Sequence, residues 1–489
     1  MAEQKQETKV ALNWIDGQWC DGERHGDSIN PATGEIIGRY AQAGVAEAQR
    51  AIAAARRAFR EENWKQDRLL RARVLNRMAD RFEASGEALA RLITTENGKT
   101  LEQARFEIGI VPLTLRFNAA LALTDHGHAA QVEPGQLSMV LREPVGVAGI
   151  IAPWNSPGAL MVRSLAPALA AGATAVISLP RQTAQVNALM AGIIAGTEGL
   201  PRGVVNLFTG GHEAGNVLVE SPDVPSISFT GSTRTGRAIS ATASANLKRL
   251  GLELGGKTPV ILFDDADLNA ALPKVVEALT VFSGQFCMTG SRLLVQRGIA
   301  ERVRDELSRR LEAVKVGPGL EPGVEMGPLI DRSNVERVNG MVTDAIAAGA
   351  KVLVRGGPVS EGDLARGAFY RPTLLEVTDS SLDIVQKEVF GPVLTLQLFD
   401  TEQQAVVLAN DSEYGLAASI WSRDIDRPLR VAREIEAGTI WVNDWAVLYD
   451  QFEEGGFKQS GQGRMRGYAV IDDFVEFKHI ALRPGVVET

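Results

Sequence analysis

The stretch VGVAGIIAPW, residues 145–154, decides the fold class. It is an apolar run that ends at a Pro-Trp pair, and helical stretches separate it from later runs of the same kind. Those runs are residues 173–177, 204–208, 226–229 and 259–263. Apolar strands that alternate with helices are typical of a parallel sheet with crossover connections. The sequence therefore predicts an α/β protein.

The segments around this core have different patterns. Residues 45–59 form a long amphipathic stretch rich in Ala and Arg, and a helical pattern continues to residue 123. The segment QVEPGQLSMVLREPV, residues 131–145, alternates like a hairpin, and DDFVEFKHIAL, residues 472–482, is another strand-like run. We expect the strands of these two segments, residues 131–145 and 472–482, to pair with another subunit.

Composition narrows the function classes. A chain of 489 residues predicts two or three domains, and 45% hydrophobic with 23% charged residues is ordinary for a soluble protein. We find no apolar run of the roughly 18 residues that span a bilayer, and the polar start MAEQKQETKV predicts no secretory segment. The net charge of -9 disfavours nucleic acid as a partner. We expect a cytoplasmic enzyme without membrane attachment.

Cysteine and histidine are scarce. The two cysteines, Cys20 and Cys287, cannot build a disulfide framework, and the five histidines lack zinc-ligand spacing, so we expect no metal. His126 and His128 form a close pair that would point the same way on a strand. An exposed loop is the favoured interpretation of that pair, and the shortage of histidine also weakens any serine-histidine triad.

Cys287 lies in the window FSGQFCMTGSR, residues 282–292, between two glycines that allow the backbone to bend. An accessible thiolate there can act as a nucleophile. A free cysteine is more often a small buried hydrophobic residue, so this window alone favours that interpretation over a nucleophile.

Two other motifs carry polar groups at the ends of apolar runs. Glu253 in LELGGKTPVI precedes two glycines, 34 residues before Cys287, where a carboxylate can act as a general base. Asn155 in IIAPWNSPG can direct an amide into a cleft and stabilise an oxyanion. The alternatives are a solvated glutamate and a turn-forming asparagine.

A third motif, ISFTGSTRTGRAI, has the pattern of a strand, a glycine turn and a helix. Gly231 and Gly236 border the turn, and backbone N–H groups at such a helix start suit a phosphate. Two glycines at this spacing are a weak signal by themselves.

Six motifs follow one another along the chain: PWNSPG, FTGSTRTG, LELGGK, GQFCMTGSR, KEVFGP and GGFKQSGQGR. In order and spacing the chain resembles the aldehyde dehydrogenase superfamily, from INPATGEIIG to KQSGQGR. The resemblance implies a Rossmann-like cofactor domain in residues 1–122 and 143–252, and an α/β catalytic domain in residues 253–455. It also implies a small β oligomerisation extension, residues 123–142 and 470–489, and hence a homodimer or homotetramer.

The resemblance also implies a reaction. Cys287 would attack the aldehyde carbon to give a thiohemiacetal, with Asn155 and the Cys287 N–H holding the oxyanion. Loss of hydride to the nicotinamide would leave a thioester, and Glu253 would activate the water that hydrolyses it. Members that pass the acyl group to coenzyme A generally lack this carboxylate, so Glu253 favours hydrolysis to the carboxylic acid.

The same resemblance assigns cofactor contacts. Glu388 in KEVFGP matches the contact with the nicotinamide ribose, and Phe390 matches a residue that lines that pocket. Trp154, Gly231 and Ser232 match positions near the cofactor channel and the pyrophosphate.

The chain departs from the family pattern in its ribose motif. Ser178 stands where the family has a lysine, and Arg181 where it has the glutamate that binds the ribose 2'-hydroxyl of NAD. An arginine there reverses the charge and can hold a 2'-phosphate, so we expect NADP to be preferred. If Arg181 points to solvent, NAD or both cofactors remain open. Ser164 is a second departure from an expected lysine, for which its neighbour Arg163 can compensate.

The substrate side also differs from the family. The aromatic side chains expected to line the tunnel, together with Met288, favour an apolar, aryl or medium-chain aldehyde. These aromatic residues are Phe286, Trp445, Tyr449 and Phe452. Glu453 and Glu454 in QFEEGG would instead select a cationic aminoaldehyde if they faced the substrate, although a solvated loop or subunit contact is the favoured interpretation.

Two further functions compete with aldehyde oxidation to an acid. The altered ribose motif would suit a catalytically silent structural member of the fold, although Cys287, Glu253 and Asn155 are all intact. Coenzyme A acylation would give an acyl-CoA product. The sequence does not identify the aldehyde itself.

Overall fold

The computed structural model describes residues 10–483. The polar start of the chain, residues 1–9, and the end of the expected oligomerisation segment, residues 484–489, lie outside the described residues. The helices are α1 (Val45–Glu61), α2 (Arg68–Ala84), α3 (Gly86–Asn97), α4 (Leu101–Thr124), α5 (Pro157–Ala171), α6 (Ala184–Ala195), α7 (His212–Glu220), α8 (Thr233–Ala243), α9 (Leu268–Thr280), α10 (Ala300–Glu312), α11 (Arg332–Ala347), α12 (Asp383–Gln386), α13 (Glu402–Asn410) and α14 (Arg427–Glu434).

The strands are short, and most belong to two large sheets. In the first half of the chain they are β1 (Val10–Ala11), β2 (Asn13–Ile15), β3 (Gln18–Cys20), β4 (Arg24–Ile29), β5 (Ile36–Gln42), β6 (His128–Glu133), β7 (Gln136–Pro144), β8 (Val147–Ile151), β9 (Thr174–Leu179), β10 (Val205–Thr209), β11 (Ser226–Thr230) and β12 (Arg249–Glu253). In the second half they are β13 (Thr258–Leu262), β14 (Gly290–Gln296), β15 (Lys351–Val354), β16 (Gly357–Pro358), β17 (Tyr370–Arg371), β18 (Thr373–Glu376), β19 (Val393–Phe399), β20 (Tyr414–Gly415), β21 (Ala417–Trp421), β22 (Thr439–Val442), β23 (Phe457–Lys458), β24 (Gly461–Gln462) and β25 (Val475–Leu482).

The first large sheet has the strand order β24-β12-β11-β8-β9-β10-β2-β3. Its five central strands, β8 to β12, are parallel, and the short strands at its two edges are antiparallel. The apolar side chains of β8 to β10 are buried because helices cover both faces of a doubly wound sheet. The direction of winding reverses between β8 and β11, and a crevice at the carboxyl ends of such strands is where ligands bind.

The second large sheet has the order β15-β18-β19-β14-β13-β21-β22 and is parallel except for β15. Glu253 ends β12 in the first sheet, and β13 of the second sheet begins only five residues later. The chain thus crosses between the two sheets through the LELGGK motif. The α/β fold class predicted from the apolar runs is confirmed.

The hairpin of β6 and β7 pairs with β25 into a separate three-stranded antiparallel sheet. The hairpin and the strand expected in these two segments are therefore present, with the register Phe477 to Arg142 and Leu482 to Leu137. The sheet leaves β6 and β25 as its edge strands. The domain boundaries and the oligomerisation role remain predictions.

Within residues 10–483 one helix, α4, is long and apolar enough to cross a membrane, with a mean hydropathy of 1.4 in its most apolar window. Our expectation that no apolar run is long enough to span a bilayer is therefore wrong for α4, by length and composition. However, 56% of that window is buried inside the molecule, where α4 packs along α2 and α5. Such burial is typical of a core helix, which passes the same test of length and composition.

Candidate active site

Cys287 follows an unusual turn of the backbone. After α9, residues Phe282, Ser283 and Gly284 all have positive φ angles, of 49°, 59° and 72°. A Cβ atom on Gly284 would lie 2.4 Å from the carbonyl carbon of Gly391, so the turn requires glycine there for space as well as for φ. Strained backbone of this kind occurs at functional sites, and here it brings the chain to Cys287, three residues before β14 begins.

The second glycine of the window has a different role. Gly290 is the first residue of β14, and a Cβ atom there would lie 3.0 Å from side-chain carbons of Ala278 and Val260. It allows close packing of α9 on the sheet rather than a bend around Cys287. The bend comes from the left-handed turn alone.

Asn155 lies between β8 and α5, in the loop where the first sheet ends. Its Nδ2 donates to the carbonyl oxygen of Gln285 at 3.0 Å, which ties the loop to the cysteine turn. An amide nitrogen carries two hydrogens, so one remains to donate to an oxyanion near Cys287. The side chain is buried.

A buried ion pair supports the Asn155 loop from behind. Lys99 donates to Glu107 at 2.5 Å and to the carbonyl oxygen of Asn155 at 2.8 Å, while Glu107 accepts the N–H of Gly158 at 2.9 Å. The ammonium group also lies 3.7 Å from the centre of the Phe282 ring. The sequence did not indicate Lys99, because a single lysine in the loop NGKT carries no sign of burial.

Glu253, the last residue of β12, is 3% exposed. Burial raises the pKa of its carboxyl group to about 8, and the charge of Arg163 opposes that rise. A carboxyl group with such a pKa takes up a proton near neutral pH, as a general base requires. Glu253 is therefore a buried residue, and the alternative of a solvated glutamate is wrong.

Arg163, on α5, lies between the carboxyl groups of Glu253 and Glu454. Its Nη1 is 3.9 Å from Glu253 Oε2 and 2.8 Å from Glu454 Oε1, and its Nη2 donates to Thr230 at 3.0 Å. Its neighbour Ser164 is uncharged and accepts a hydrogen bond from Ser228 at 2.8 Å. A buried cation is thus present one residue before the position where a lysine was expected.

Burial also raises the pKa of the Cys287 thiol, and the nearby carboxylates of Glu454, Glu253 and Glu388 raise it further, while Arg163 lowers it. These surroundings disfavour the thiolate form of Cys287. These electrostatic effects also show that Cys287 and Glu253 share one charged neighbourhood.

A cleft of about 560 Å³ opens at the carboxyl ends of β8, β9 and β11, where the first sheet reverses its winding. Trp154, Ser178, Arg181 and Gly231 all line it, as does His212 at the start of α7, which the sequence did not indicate. Among the described residues that line the cleft there is no Asp or Glu. The start of α8 borders the cleft as well, so a dinucleotide phosphate fits this position.

The individual cofactor candidates differ in burial. Ser178 is buried at the end of β9, whereas Arg181 is exposed in a short helical turn. Ser232 caps α8 by accepting the N–H of Thr235 at 3.3 Å. Gly231 leaves no room for a side chain, because a Cβ atom would lie 2.5 Å from the Phe229 ring.

Glu388 and Phe390 are not among the residues that line the cleft, but Phe390 contacts Trp154, which does line it. Glu388 accepts the N–H of Gly256 at 3.2 Å, and burial raises the pKa of its carboxyl group to about 7. The Phe390 ring meets the Trp154 ring edge to face, with 5.5 Å between their centres. The KEVFGP and PWNSPG motifs are thus brought together in space.

The residues expected to line the substrate tunnel fall into two groups. Phe286 packs edge to face against Trp445, with 5.9 Å between ring centres, and both lie in the apolar cluster around Cys287. Tyr449 and Phe452 are exposed, and their rings lie 6.4 Å apart. Met288 has no exposed surface, so our expectation that it shapes the tunnel is wrong.

The two acidic residues near the expected substrate mouth form hydrogen bonds with other groups of the protein. Glu454 is 3% exposed and accepts from Arg163 and Arg466, both at 2.8 Å. Glu453 accepts the N–H of Tyr468 at 3.1 Å. The idea that this pair selects a cationic aldehyde is therefore not supported by the positions of the side chains.

Among residues 10–483 no group of three His, Cys, Asp or Glu side chains is arranged to hold a metal ion. His128 lies on the exposed strand β6, and His126 lies in the loop before it. Both side chains are exposed as expected, but the interpretation as an exposed loop is wrong for His128, because that residue pairs with Val140 in the sheet.

Comparisons with known proteins agree with these observations. The model of the aldehyde dehydrogenase family matches residues 19–480. Betaine aldehyde dehydrogenase of Bacillus subtilis is 39% identical over 472 residues, which cover 96% of each chain. Aminoaldehyde dehydrogenase 1 of Pisum sativum is 36% identical over 480 residues, 96% of this chain and 94% of the relative.

Solved structures resemble the whole chain. Betaine aldehyde dehydrogenase of Staphylococcus aureus in complex with NAD+ has a TM-score of 0.95 and 37% identity, with 98% of this chain and 96% of that chain covered. An NAD-dependent aldehyde dehydrogenase of Sinorhizobium meliloti has a TM-score of 0.94 and 35% identity, with 99% and 96% covered.

Proposed function

The chain belongs to the aldehyde dehydrogenase family, and from that premise we propose that it oxidises an apolar or aryl aldehyde to the carboxylic acid. The oxidation of an aldehyde is the reaction of this enzyme class. The observation that carries the proposal is that Asn155 hydrogen-bonds the turn before Cys287 and the charge of Glu253 reaches the Cys287 thiol, while Trp154, next to Asn155, lines the cleft.

In the first half of the reaction, the Cys287 thiolate attacks the aldehyde carbon and forms a thiohemiacetal. The carbonyl oxygen gains negative charge, which the free hydrogen of the Asn155 amide can stabilise at hydrogen-bond distance. The thiol must first lose its proton, and the burial and nearby carboxylates that raise its pKa oppose that loss. Arg163 is the positive charge that favours the thiolate.

A nicotinamide, when bound, supplies the acceptor for the hydride that leaves the substrate carbon. Trp154, Ser178, Arg181, Gly231 and Ser232 would hold the dinucleotide along the cleft. By the resemblance of the KEVFGP motif, Glu388 and Phe390 would contact its nicotinamide end.

In the second half, water must attack the thioester on Cys287. Glu253 in its ionised form can accept the proton of that water, after which the acid leaves and the thiol is restored. The same carboxylate argues for hydrolysis over transfer to coenzyme A, because the resemblance places it in members that hydrolyse the thioester and not in those that acylate coenzyme A. Direct analysis of the product, acid or acyl-CoA, distinguishes the two.

The aromatic side chains favour an apolar substrate. Phe286 and Trp445 form an apolar wall next to Cys287, and Glu454 contributes no free charge because two guanidinium groups neutralise it. Tyr449 and Phe452 add exposed aromatic surface on the neighbouring loop.

A cationic aldehyde is the second candidate. Aromatic rings attract cations through their faces, and the relatives from Bacillus and Pisum are named for betaine aldehyde and aminoaldehydes. This route uses aromatic rings in place of Glu453 and Glu454. It therefore predicts that changing both glutamates to Gln leaves the preference for aminoaldehydes unchanged.

For the cofactor we propose NADP in preference to NAD. Arg181 is exposed at a cleft that has no Asp or Glu among its described lining residues, and its guanidinium can pair with a 2'-phosphate. NAD is the alternative, and the solved relatives from Staphylococcus and Sinorhizobium are described with it.

Arg181→Glu tests the cofactor proposal. We expect the ratio of kcat/KM for NADP to that for NAD to fall by about ten-fold or more, because a charge pair becomes a repulsion. His212→Gln, in the same cleft, is the matched variant that leaves Arg181 in place. A wild-type kcat/KM for NAD well above that for NADP would contradict the proposal.

A panel of neutral, aryl, cationic and acidic aldehydes, each assayed with both cofactors, tests the reaction itself. We expect the highest kcat/KM with an aryl or medium-chain aldehyde, and no oxidation by Cys287→Ala. Absence of oxidation with every aldehyde would instead favour the catalytically silent member of the fold.

A further inference from the structure

Five buried or nearly buried side chains of alternating charge form a row that begins at Glu253. Arg163 lies between Glu253 and Glu454, at 3.9 Å and 2.8 Å. Arg466 then joins Glu454 at 2.8 Å to Asp450 at 2.6 Å. We call Glu253, Arg163, Glu454, Arg466 and Asp450 the charge row.

The charge row connects separate parts of the chain. Glu253 ends β12, Arg163 belongs to α5, and the other three come from the segment between β22 and β25. At its outer end, Asp450 also accepts from Thr114 of α4 at 3.1 Å. An ion pair this deeply buried is costly to form unless its geometry is good, so its presence beside the general base calls for a functional explanation.

The two distances to Arg163 are unequal. Arg163 donates a hydrogen bond to Glu454. Its guanidinium lies 3.9 Å from Glu253, which is too far for a hydrogen bond but close enough for charge attraction. The Glu253 carboxylate therefore gains electrostatic support, and its oxygen remains able to accept a proton from water. A direct bidentate pair with Arg163 would instead occupy both oxygens.

We propose that Arg163 is a positioning residue of the hydrolytic step: Glu454 and Arg466 anchor it, and its charge favours the ionised form of the Glu253 carboxyl group and keeps that group in place. This inference rests on the proposed function, because it assigns a role to Glu253 in the hydrolysis of the thioester. It adds two residues, Arg163 and Glu454, to those on which the reaction depends.

The charges that face Glu253 determine the expected signs. Arg163 from α5 and Arg464 from the turn after β24 favour its ionised form, and so does the N–H of Gly456. Glu454 opposes ionisation, as does burial. Burial also acts to raise the pKa of Glu454, but Arg163 and Arg466 outweigh it and hold that pKa below its usual value.

Two single variants should consequently shift the reaction in opposite directions. Arg163→Gln removes the attraction, so the pKa of Glu253 rises. Glu454→Gln removes the repulsion and releases Arg163 toward Glu253, so the pKa of Glu253 falls. Loss of structure alone would not produce opposite shifts.

The experiment measures hydrolysis of the acyl-enzyme. A 4-nitrophenyl ester acylates Cys287, nitrophenolate leaves, and the decay of the acyl-enzyme is followed against pH without cofactor. We expect the acid limb of the decay rate to move up by about one pH unit in Arg163→Gln, with a rate about ten-fold lower at pH 7. It should move down in Glu454→Gln, and Arg163→Lys should restore most of the wild-type profile.

Arg430→Gln, which removes a surface arginine paired with Glu402, is the matched control and should leave the profile unchanged. If Arg163→Gln does not fold, the direction of the Glu454→Gln shift decides alone. Profiles of both charge-row variants that stay at the wild-type position, or that move the same way, would overturn the inference. The proposed function fails separately, through the absence of aldehyde oxidation in the wild type.

Discussion

At the scale of single residues, the buried carboxyl group of Glu253 and the partly buried thiol of Cys287 control the pH at which the reaction can run. The pKa of Glu253 is raised to about 8, so the carboxylate is mostly protonated below that pH and mostly ionised above it. The thiol pKa of Cys287 is raised as well. Both groups act in their ionised forms, so each raised pKa makes the reaction faster as the pH rises.

We therefore expect kcat for aldehyde oxidation to rise with pH through about 8 when hydrolysis limits the rate. Glu253→Gln should lose this limb and lower kcat by about 100-fold or more, while a first turnover of reduced cofactor persists, because hydride transfer precedes hydrolysis. Steady-state and stopped-flow rates at a series of pH values check both points. A steady-state limb that remains in Glu253→Gln would contradict the assignment.

Lys99 gives a second prediction at this scale. Lys99→Met leaves the Glu107 carboxylate buried without its partner, which costs about 3–5 kcal/mol, and it releases the carbonyl oxygen of Asn155. We expect a lower Tm and a lower kcat/KM. Adding Glu107→Gln should recover part of the Tm without restoring kcat/KM, because the Asn155 loop still lacks its support.

Lys387→Met is the matched control for that pair, since Lys387 forms an exposed ion pair with Asp383 within one helical turn. Its effect on the free energy of unfolding should stay within about 0.5 kcal/mol. Equal effects of the two lysine variants on Tm and kcat/KM would contradict a special role for Lys99.

The sequence could indicate some of these residues and not others. Cys287, Glu253 and Asn155 lie in local motifs whose glycines and apolar runs suggest exposed ends of strands. The pairing of Arg163 with Glu454 joins residues 291 positions apart, and Lys99 reaches Asn155 across 56 positions. Such contacts depend on how elements pack, which local patterns do not contain.

At the scale of elements, the left-handed turn before Cys287 is the most demanding local structure. Gly284→Ala places a Cβ atom at a φ of 72° and 2.4 Å from the Gly391 carbonyl carbon. We expect a loss of more than about 1 kcal/mol in stability and a larger relative loss in kcat, because the turn positions the nucleophile.

Gly340→Ala is the matched control for the turn. Gly340 lies inside α11, and a Cβ atom there meets nothing within 4 Å, so alanine should raise stability by about 0.5–1 kcal/mol. Thermal unfolding and aldehyde oxidation of both variants check the contrast. A Gly284→Ala enzyme with the wild-type Tm and kcat would show that the backbone there is not strained.

Elements were predicted better than their contacts. The five apolar runs correspond to β8, β9, β10, β11 and β13, with ends that differ by a few residues, because period and apolarity are local properties. The positive φ of Phe282 and Ser283 was not foreseen, since neither residue type favours that region.

At the scale of the whole molecule, the order of the strands positions the chemistry. The winding of the first sheet reverses between β8 and β11, so the loops after these strands, with Trp154 and Gly231, face one cleft. Glu253 at the end of β12 lies along the same sheet edge, and the second sheet brings Cys287 to it. The order of the strands therefore explains why motifs far apart in sequence form one site.

The three-stranded sheet is the feature that a single chain leaves incomplete. Its edge strands β6 and β25 have exposed side chains along nearly their whole length, including Val132 at 78% and Phe477 at 56%. Exposed apolar edge strands favour pairing with another chain, so we expect a homodimer or homotetramer.

Ile480→Asp combined with Leu482→Asp should shift the mass in solution toward the monomer, measured by light scattering, because charge on β25 opposes its burial. Ile425→Asp, at an equally apolar but isolated surface position of 83% exposure, should leave the mass unchanged. A wild-type chain that is monomeric at micromolar concentration would contradict this prediction.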